Sequence, residues 1–158
     1  MAFSVFLYYF VSLRGKRTVM HRTILLNNNI AEIPLLSEFI DNFAEEVGLD
    51  YSLTMSLNLA MEEAVVNVMK YAYPQGEQGK IDISANVDGD DVVFVISDSG
   101  VAFDPTTKAE VDVEQKAEDR PIGGLGIHLV RQIMDSIVYE RVDGKNILTL
   151  YKNKKGRC

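Results

Sequence analysis

Apolar residues recur along this chain at two alternating periods, and the switches between them mark out its elements. His21 to Asn27 (HRTILLN) reads as a strand, with β-branched and leucine residues ahead of an Asn-rich turn. From Ile30 the apolar positions Ile33, Leu36, Ile40, Phe43 and Val47 recur every three or four residues. That spacing predicts an amphipathic helix with Asn29 as its cap and Gly48 as its stop. Asp50 or Ser52 caps a second helix running to about Ala72, with Leu53, Leu57, Ala60, Ala64 and Val68 in its apolar set. Pro74, Gly76 and Gly79 mark a turn. Lys80 to Val87 and Val92 to Ser97 then switch to strand character, joined by a hairpin signal at Asp88-Gly-Asp-Asp91. The run Val92 to Ile96 lacks polar alternation, which predicts a central strand buried on both faces. Val101 to Ile122 holds two prolines, dense charge and no period, and reads as a mobile loop over a site. Gly126 to Asp135 is a short helix, and Ser136 to Arg141 pairs with Ile147 to Lys152 around Asp143-Gly144. Antiparallel hairpins with helices gathered on one face predict an α+β fold. We expect a two-layer α/β sandwich whose sheet is mixed but mostly antiparallel.

Composition narrows the class without naming a function. The 158 residues, 47% hydrophobic and 25% charged, suit one globular domain that folds without disulfides or a structural metal. The single cysteine, Cys158, has no partner in the chain, and no Cys/His cluster has zinc spacing, which favours a reducing cytoplasmic setting. A net charge of −7 argues against non-specific nucleic-acid binding as the main role. Met1 to Leu13 is nearly all apolar, with Arg14, Lys16 and Arg17 behind it. It is shorter than the roughly 20 residues of a spanning helix and lacks the basic start of a signal peptide. Three readings stand open: a start at Met20, a segment that packs on the domain or mediates oligomerisation, and a weak membrane anchor.

Three short motifs carry candidate chemistry. Glu63-Ala-Val-Val-Asn67 puts a carboxylate and a carboxamide on one helix face, one turn apart, which suits a general base beside a Mg²⁺ ligand. A solvated helix surface produces the same pair. Glu62, a rival base, lies about 100° round the helix and should face away. Asp98-Ser-Gly100 ends an apolar strand in a tight turn; it suits recognition of a polar ring edge, and equally an ordinary turn. Gly123-Gly-Leu-Gly126-Ile127 opens a helix and suits phosphate binding by backbone N–H groups, although helix-initiating glycines are common. No Walker-type sequence is present.

In this order and at these distances the motifs resemble the N, G1 and G2 boxes of the GHKL ATPase superfamily, and within it the anti-sigma factor serine kinases. The stretches LNLAMEEAVVNVMKYAYP, DSGVAFDP and GGLGIHLVRQIMD carry the likeness. It covers residues 20–152, leaving 1–19 as an extension and 153–158 as a basic tail. The resemblance implies a Bergerat-type ATP-binding fold, ATP and Mg²⁺ as cofactors, and a role for each matching residue. Asn67 would ligate Mg²⁺ and Glu63 would take the proton from an attacking hydroxyl. Lys70 would neutralise phosphate charge and Tyr71 would pack on the nucleotide; many members carry His at that position, so Tyr71 departs from the pattern. Asp98 would accept from the adenine 6-amino group, Gly100 would leave room for the base, and Phe103 extends the box. Gly123, Gly124, Leu125, Gly126 and Ile127 would wrap the phosphates, with Arg120 reaching the γ-phosphate. Relatives often place Thr near the start of the final strand; here Gly144-Lys-Asn146 stands there, with Asn146 as a candidate polar substitute.

As function, the resemblance implies a cytoplasmic ATP-dependent serine/threonine protein kinase. It would hold a sigma factor, phosphorylate a Ser on a STAS-type anti-anti-sigma partner, act as a homodimer, and touch neither nucleic acid nor membrane. The alternative is a non-enzymatic switch in which ATP only orders the 101–122 loop. A sensor histidine kinase lacks support here, because no helical hairpin with a phospho-accepting His precedes the first strand.

Overall fold

The computed structural model of the chain describes residues 20–107 and 124–156. Expectations for 1–19, for 108–123 (with Arg120 and Gly123) and for Cys158 lie outside the described residues.

The alternating and helical periods resolve into the expected elements. Five strands, β1 (His21–Asn27), β2 (Lys80–Asp88), β3 (Asp91–Asp98), β4 (Ser136–Val142) and β5 (Lys145–Asn153), form one sheet in the order β1-β2-β3-β5-β4. Three α-helices accompany them: α1 (Ile33–Val47), α2 (Tyr51–Tyr71) and α3 (Gly124–Ile133). Among the described residues every strand pairing is antiparallel, so the parallel admixture expected in the sheet does not occur. The reason is local. Two tight hairpins build four of the strands, and β1 joins β2 by returning through two antiparallel helices rather than one crossover. At the β4–β5 turn Asp143 and Gly144 take φ of 49° and 77°, the left-handed pair that a two-residue hairpin loop of this twist needs.

Capping residues set the helix ends. Gly48, at φ 73°, stops α1. Of the two candidate caps for α2, Asp50 serves: its Oδ1 accepts from Leu53 N at 2.8 Å. The helix expected from Ile30 opens as a 3₁₀ turn, Ile30–Glu32, capped by Asn29; the α-helical part follows, with Pro34 in its first turn, where no N–H is missed. The third helix begins and ends two residues earlier than its pattern suggests. Asp135 is drawn off to the sheet, where its N–H bonds Tyr151 O and its Oδ2 accepts from Asn153 N at 2.7 Å.

The core lies between the helices and one sheet face. Val92, Phe94 and Ile96 of β3 are buried with Ile81, Ile83, Leu148 and Leu150 beside them, against Leu36, Ile40 and Phe43 of α1 and Leu57, Met61 and Ala64 of α2. Phe43 meets Phe94 edge-on, with ring centroids 5.8 Å apart. Each such side chain contributes about 1.5–3 kcal/mol by leaving water. Val93, on the opposite face of β3, exposes only 5%, as a central strand should. Among the described residues no helix is long and apolar enough to cross a membrane.

Candidate functional site

Helix α2 carries the first motif where it meets the first turn of α3. Asn67 is buried, Glu63 half-buried and Glu62 exposed, so the two neighbouring acids diverge as their 100° separation dictates. The first turn of α3 comes directly against the pair. A Cβ placed on Gly126 would stand 2.5 Å from Glu63 Oε2 and 3.3 Å from Asn67 Nδ2. The N-terminal N–H groups and positive dipole end of α3 therefore lie beside Glu63 and Asn67, an arrangement suited to anions. Gly124 and Leu125 belong to that turn, and Ile127 turns into the core.

Asp98 ends β3 on the same side of the sheet. Only 3% exposed, it closes a recess walled by Ala64, Asn67, Ile96, Phe103, Ile127 and Leu148. Its Oδ1 accepts from Gly100 N and from Asn146 Nδ2, both at 2.9 Å, and every bond to this carboxylate among the described residues goes to Oδ1. Oδ2 takes part in neither bond. Burial pushes the Asp98 carboxyl above its usual range, against the opposing pull of Asn146, the Gly100 N–H and Arg141.

The turn after Asp98 is pressed onto the end of α2. Val101 N donates to Ala72 O at 2.7 Å, and a Cβ on Gly100 would sit 2.2 Å from that oxygen. Gly100→Ala is therefore expected to cost about 1–3 kcal/mol. The loss would read as a lower urea midpoint at unchanged slope; an unaltered midpoint would mean that the turn can lift off the helix. Tyr73 braces the turn from the other side, accepting from Ser99 N at 3.3 Å and donating to Lys80 O at 2.7 Å.

Cross-strand register supplies the rest of the site. Asp98 pairs with Asn146, which in turn pairs with Arg141, so the three stand in a row across β3, β5 and β4. The Asn146 amide also donates to Val101 O (2.8 Å) and accepts from Phe103 N (3.2 Å), the Tyr139 hydroxyl (2.6 Å) and Arg141 (3.0 Å). Arg141 reaches Gly100 O as well, at 2.9 Å. Phe103 leans on Tyr71, with centroids 5.3 Å apart and planes 31° off parallel.

The structure thus gathers Glu63, Asn67, Tyr71, Asp98, Gly100, Phe103, Gly126 and Ile127 around one recess and the adjoining helix end. Lys70 stands apart from it: exposed, it borders a second, polar groove with Asn27, Asn28, Pro74 and Glu77. Arg120 and Gly123 are outside the described residues. Tyr73, Tyr139 and Arg141 were not singled out from the sequence. For Tyr139 and Arg141 the signal is the pairing register of β4 with β5, and for Tyr73 it is the contact of the segment after α2 with the turn after β3; no local pattern contains either.

A profile of the histidine kinase-like ATPase domain matches residues 26–152. The chain is 32% identical over 121 residues to the serine-protein kinase RsbW of Listeria monocytogenes serovar 1/2a, covering 73% of this chain and 77% of that one. It is 33% identical over 98 residues to the serine/threonine-protein kinase BtrW of Bordetella bronchiseptica, covering 62% and 69%. It is 30% identical over 129 residues to RsbW of Staphylococcus aureus strain JH9, covering 78% and 81%. Among solved structures it is similar to the RsbU and RsbW domains of Rv1364c from Mycobacterium tuberculosis. There the TM-score is 0.59 at 18% identity, over 89% of this chain and 33% of that one.

Proposed function

Because this chain belongs to the histidine kinase-like ATPase domain family, we propose that it is an ATP-dependent serine/threonine protein kinase acting by partner switching. It binds a sigma factor and phosphorylates a Ser on a STAS-type anti-anti-sigma protein. The observation that carries this reading is the convergence of Glu63, Asn67 and the first turn of α3 beside a recess that Asp98 closes.

Each residue has a distinct task. Asp98 Oδ2 accepts from the 6-amino group of adenine, with Gly100 leaving room for the base and Tyr71 and Phe103 flanking it. The N-terminal turn of α3, from Gly124 through Leu125 to Gly126, with Ile127 anchoring it in the core, presents N–H groups to the phosphates. Gly123 and Arg120, outside the described residues, would serve the phosphates in this reading, whereas Lys70, on the second groove, has no part in it. The donor set suits Mg²⁺. Among the described residues no group of three acids, His or Cys could hold a metal, so Asn67 would supply one oxygen and the nucleotide the others. An ion held by Asn67 would neutralise charge on the transferring group. Glu63 takes the proton from the Ser hydroxyl as its oxygen bonds phosphorus and the bond to ADP breaks. In this reading the chain works as a cytoplasmic homodimer without contacting nucleic acid.

The test is transfer of labelled γ-phosphate from ATP to a Ser-bearing anti-anti-sigma protein. Labelling of that Ser supports the kinase; ATP binding without transfer to any partner tried would favour the non-enzymatic switch. Asn67→Ala is expected to weaken ATP binding about 10- to 100-fold in Mg²⁺ and little in EDTA, measured by titration calorimetry. Equal loss in both would remove Asn67 from the metal.

A further inference from the structure

We infer that Asn146 is the positioning residue that sets the base preference of the recess, by fixing which oxygen of Asp98 faces the ligand. The inference rests on the assignment of Asp98 to the base and adds to it the group that orients Asp98.

The amide of Asn146 has one workable orientation. On one side it meets three donors: the Phe103 N–H, the Tyr139 hydroxyl and the Arg141 guanidinium. On the other it meets two acceptors, the Asp98 carboxylate and Val101 O. Exchanging oxygen and nitrogen would set the NH₂ group against N–H donors and the carbonyl against a carboxylate, so the network itself decides the orientation. At 4% exposure the side chain is almost wholly withdrawn from solvent.

Asp98 needs such a constraint. The terminal torsion of an Asp side chain is broad and roughly two-fold, so either oxygen can lead. Gly100 N–H alone is a single tether from the next turn. Asn146 Nδ2, fixed from β5 by its own three donors, supplies the second bond to the same oxygen. Two bonds on Oδ1 leave Oδ2, a pure acceptor when ionised, as the oxygen free of them at the recess that Asp98 lines. The same amide holds Phe103 N, and with it the ring that meets Tyr71, so one side chain sets both the reader and a wall of the recess.

A group that only stabilises the fold would, when removed, weaken every nucleotide alike. A group that orients Asp98 would weaken only ligands that present a 6-amino donor. The probe pair is ATP and inosine triphosphate, which differ at that position by an amino group against an oxo group. Dissociation constants for both would be measured on the full chain and on Asn146→Asp, Asn146→Ser, Glu62→Gln and Asp98→Asn, each checked for a cooperative melt. The Asn146→Asp and Asn146→Ser proteins are expected to lose about 10-fold of the preference for ATP, with inosine triphosphate binding little changed. Glu62→Gln, an exposed change outside the recess, should keep the preference. Two foldable Asn146 variants with the wild-type ratio would overturn the inference, and Asn146→Ser keeps it open to refutation if Asn146→Asp does not fold. Asp98→Asn separates the two levels. A lost ratio there beside an intact one in both Asn146 variants sinks only the present inference. An intact ratio in Asp98→Asn sinks the base assignment beneath it.

Discussion

Glu63→Gln is expected to slow phosphoryl transfer about 100- to 10,000-fold while ATP binds as before. Glutamine keeps the length, the shape and the helix propensity of the residue, so α2 should not notice the change. What is lost is the basic oxygen. Glu63 is half-buried and lies against the first turn of α3, beside Asn67, where a hydroxyl meeting the γ-phosphate would need its proton removed. Glu62→Gln is the matched control: the side chain is exposed, and its loss should leave the rate alone. Single-turnover transfer to a Ser-bearing partner, with ATP affinity measured in parallel, reads both quantities. A Glu63→Gln protein that transfers at the wild-type rate would move the base elsewhere.

Asp98→Asn should do the reverse, reducing ATP affinity about 30- to 1,000-fold. It removes a charged hydrogen bond and turns an NH₂ group toward the 6-amino group of the base. The ligand-free protein should respond in the opposite sense. Burial raises the folded-state pKa of this carboxyl above its unfolded value. Its contribution to stability is therefore fully present below the unfolded pKa and is lost as pH rises through the folded one. At neutral pH the ionised group is a burden that asparagine does not carry, while the amide oxygen can still accept from Gly100 N and Asn146 Nδ2. The stability of the variant relative to wild type is expected to improve as pH rises through that window, followed by urea unfolding from about pH 4 to 7. A flat difference across the range would mean that Asp98 does not feel its burial.

Much of this was legible before any coordinates, for reasons particular to each part. The 3–4 spacing of Ile33, Leu36, Ile40 and Phe43 located α1 because its apolar face is narrow and its other side is polar. The Asp143-Gly144 turn was legible because few other residues accept two successive positive φ values. The Glu63–Asn67 step and the Asp98 turn came from local spacing, but their reading as an ATP site came from family resemblance, not from physics. The row from Asp98 through Asn146 to Arg141 was hidden. It exists only once β5 pairs with β3 in one register, and a contact across 48 residues leaves no local trace. The separation of Lys70 from the recess was missed for a smaller reason. Residues three and four steps along a helix differ by about 100° in direction, and here Lys70 falls on the far side of that difference from Tyr71.

The turn bearing Asp98 is fastened to Ala72, at the end of the same helix that carries Asn67. Between those two residues α2 rises about 7.5 Å and has almost no freedom to stretch. Under the proposed function the helix is a ruler laid between the two ends of the nucleotide. In the proposed complex the span from base to metal would be set by five residues of rigid backbone, and one residue added to or removed from that stretch would put both ends out of step at once.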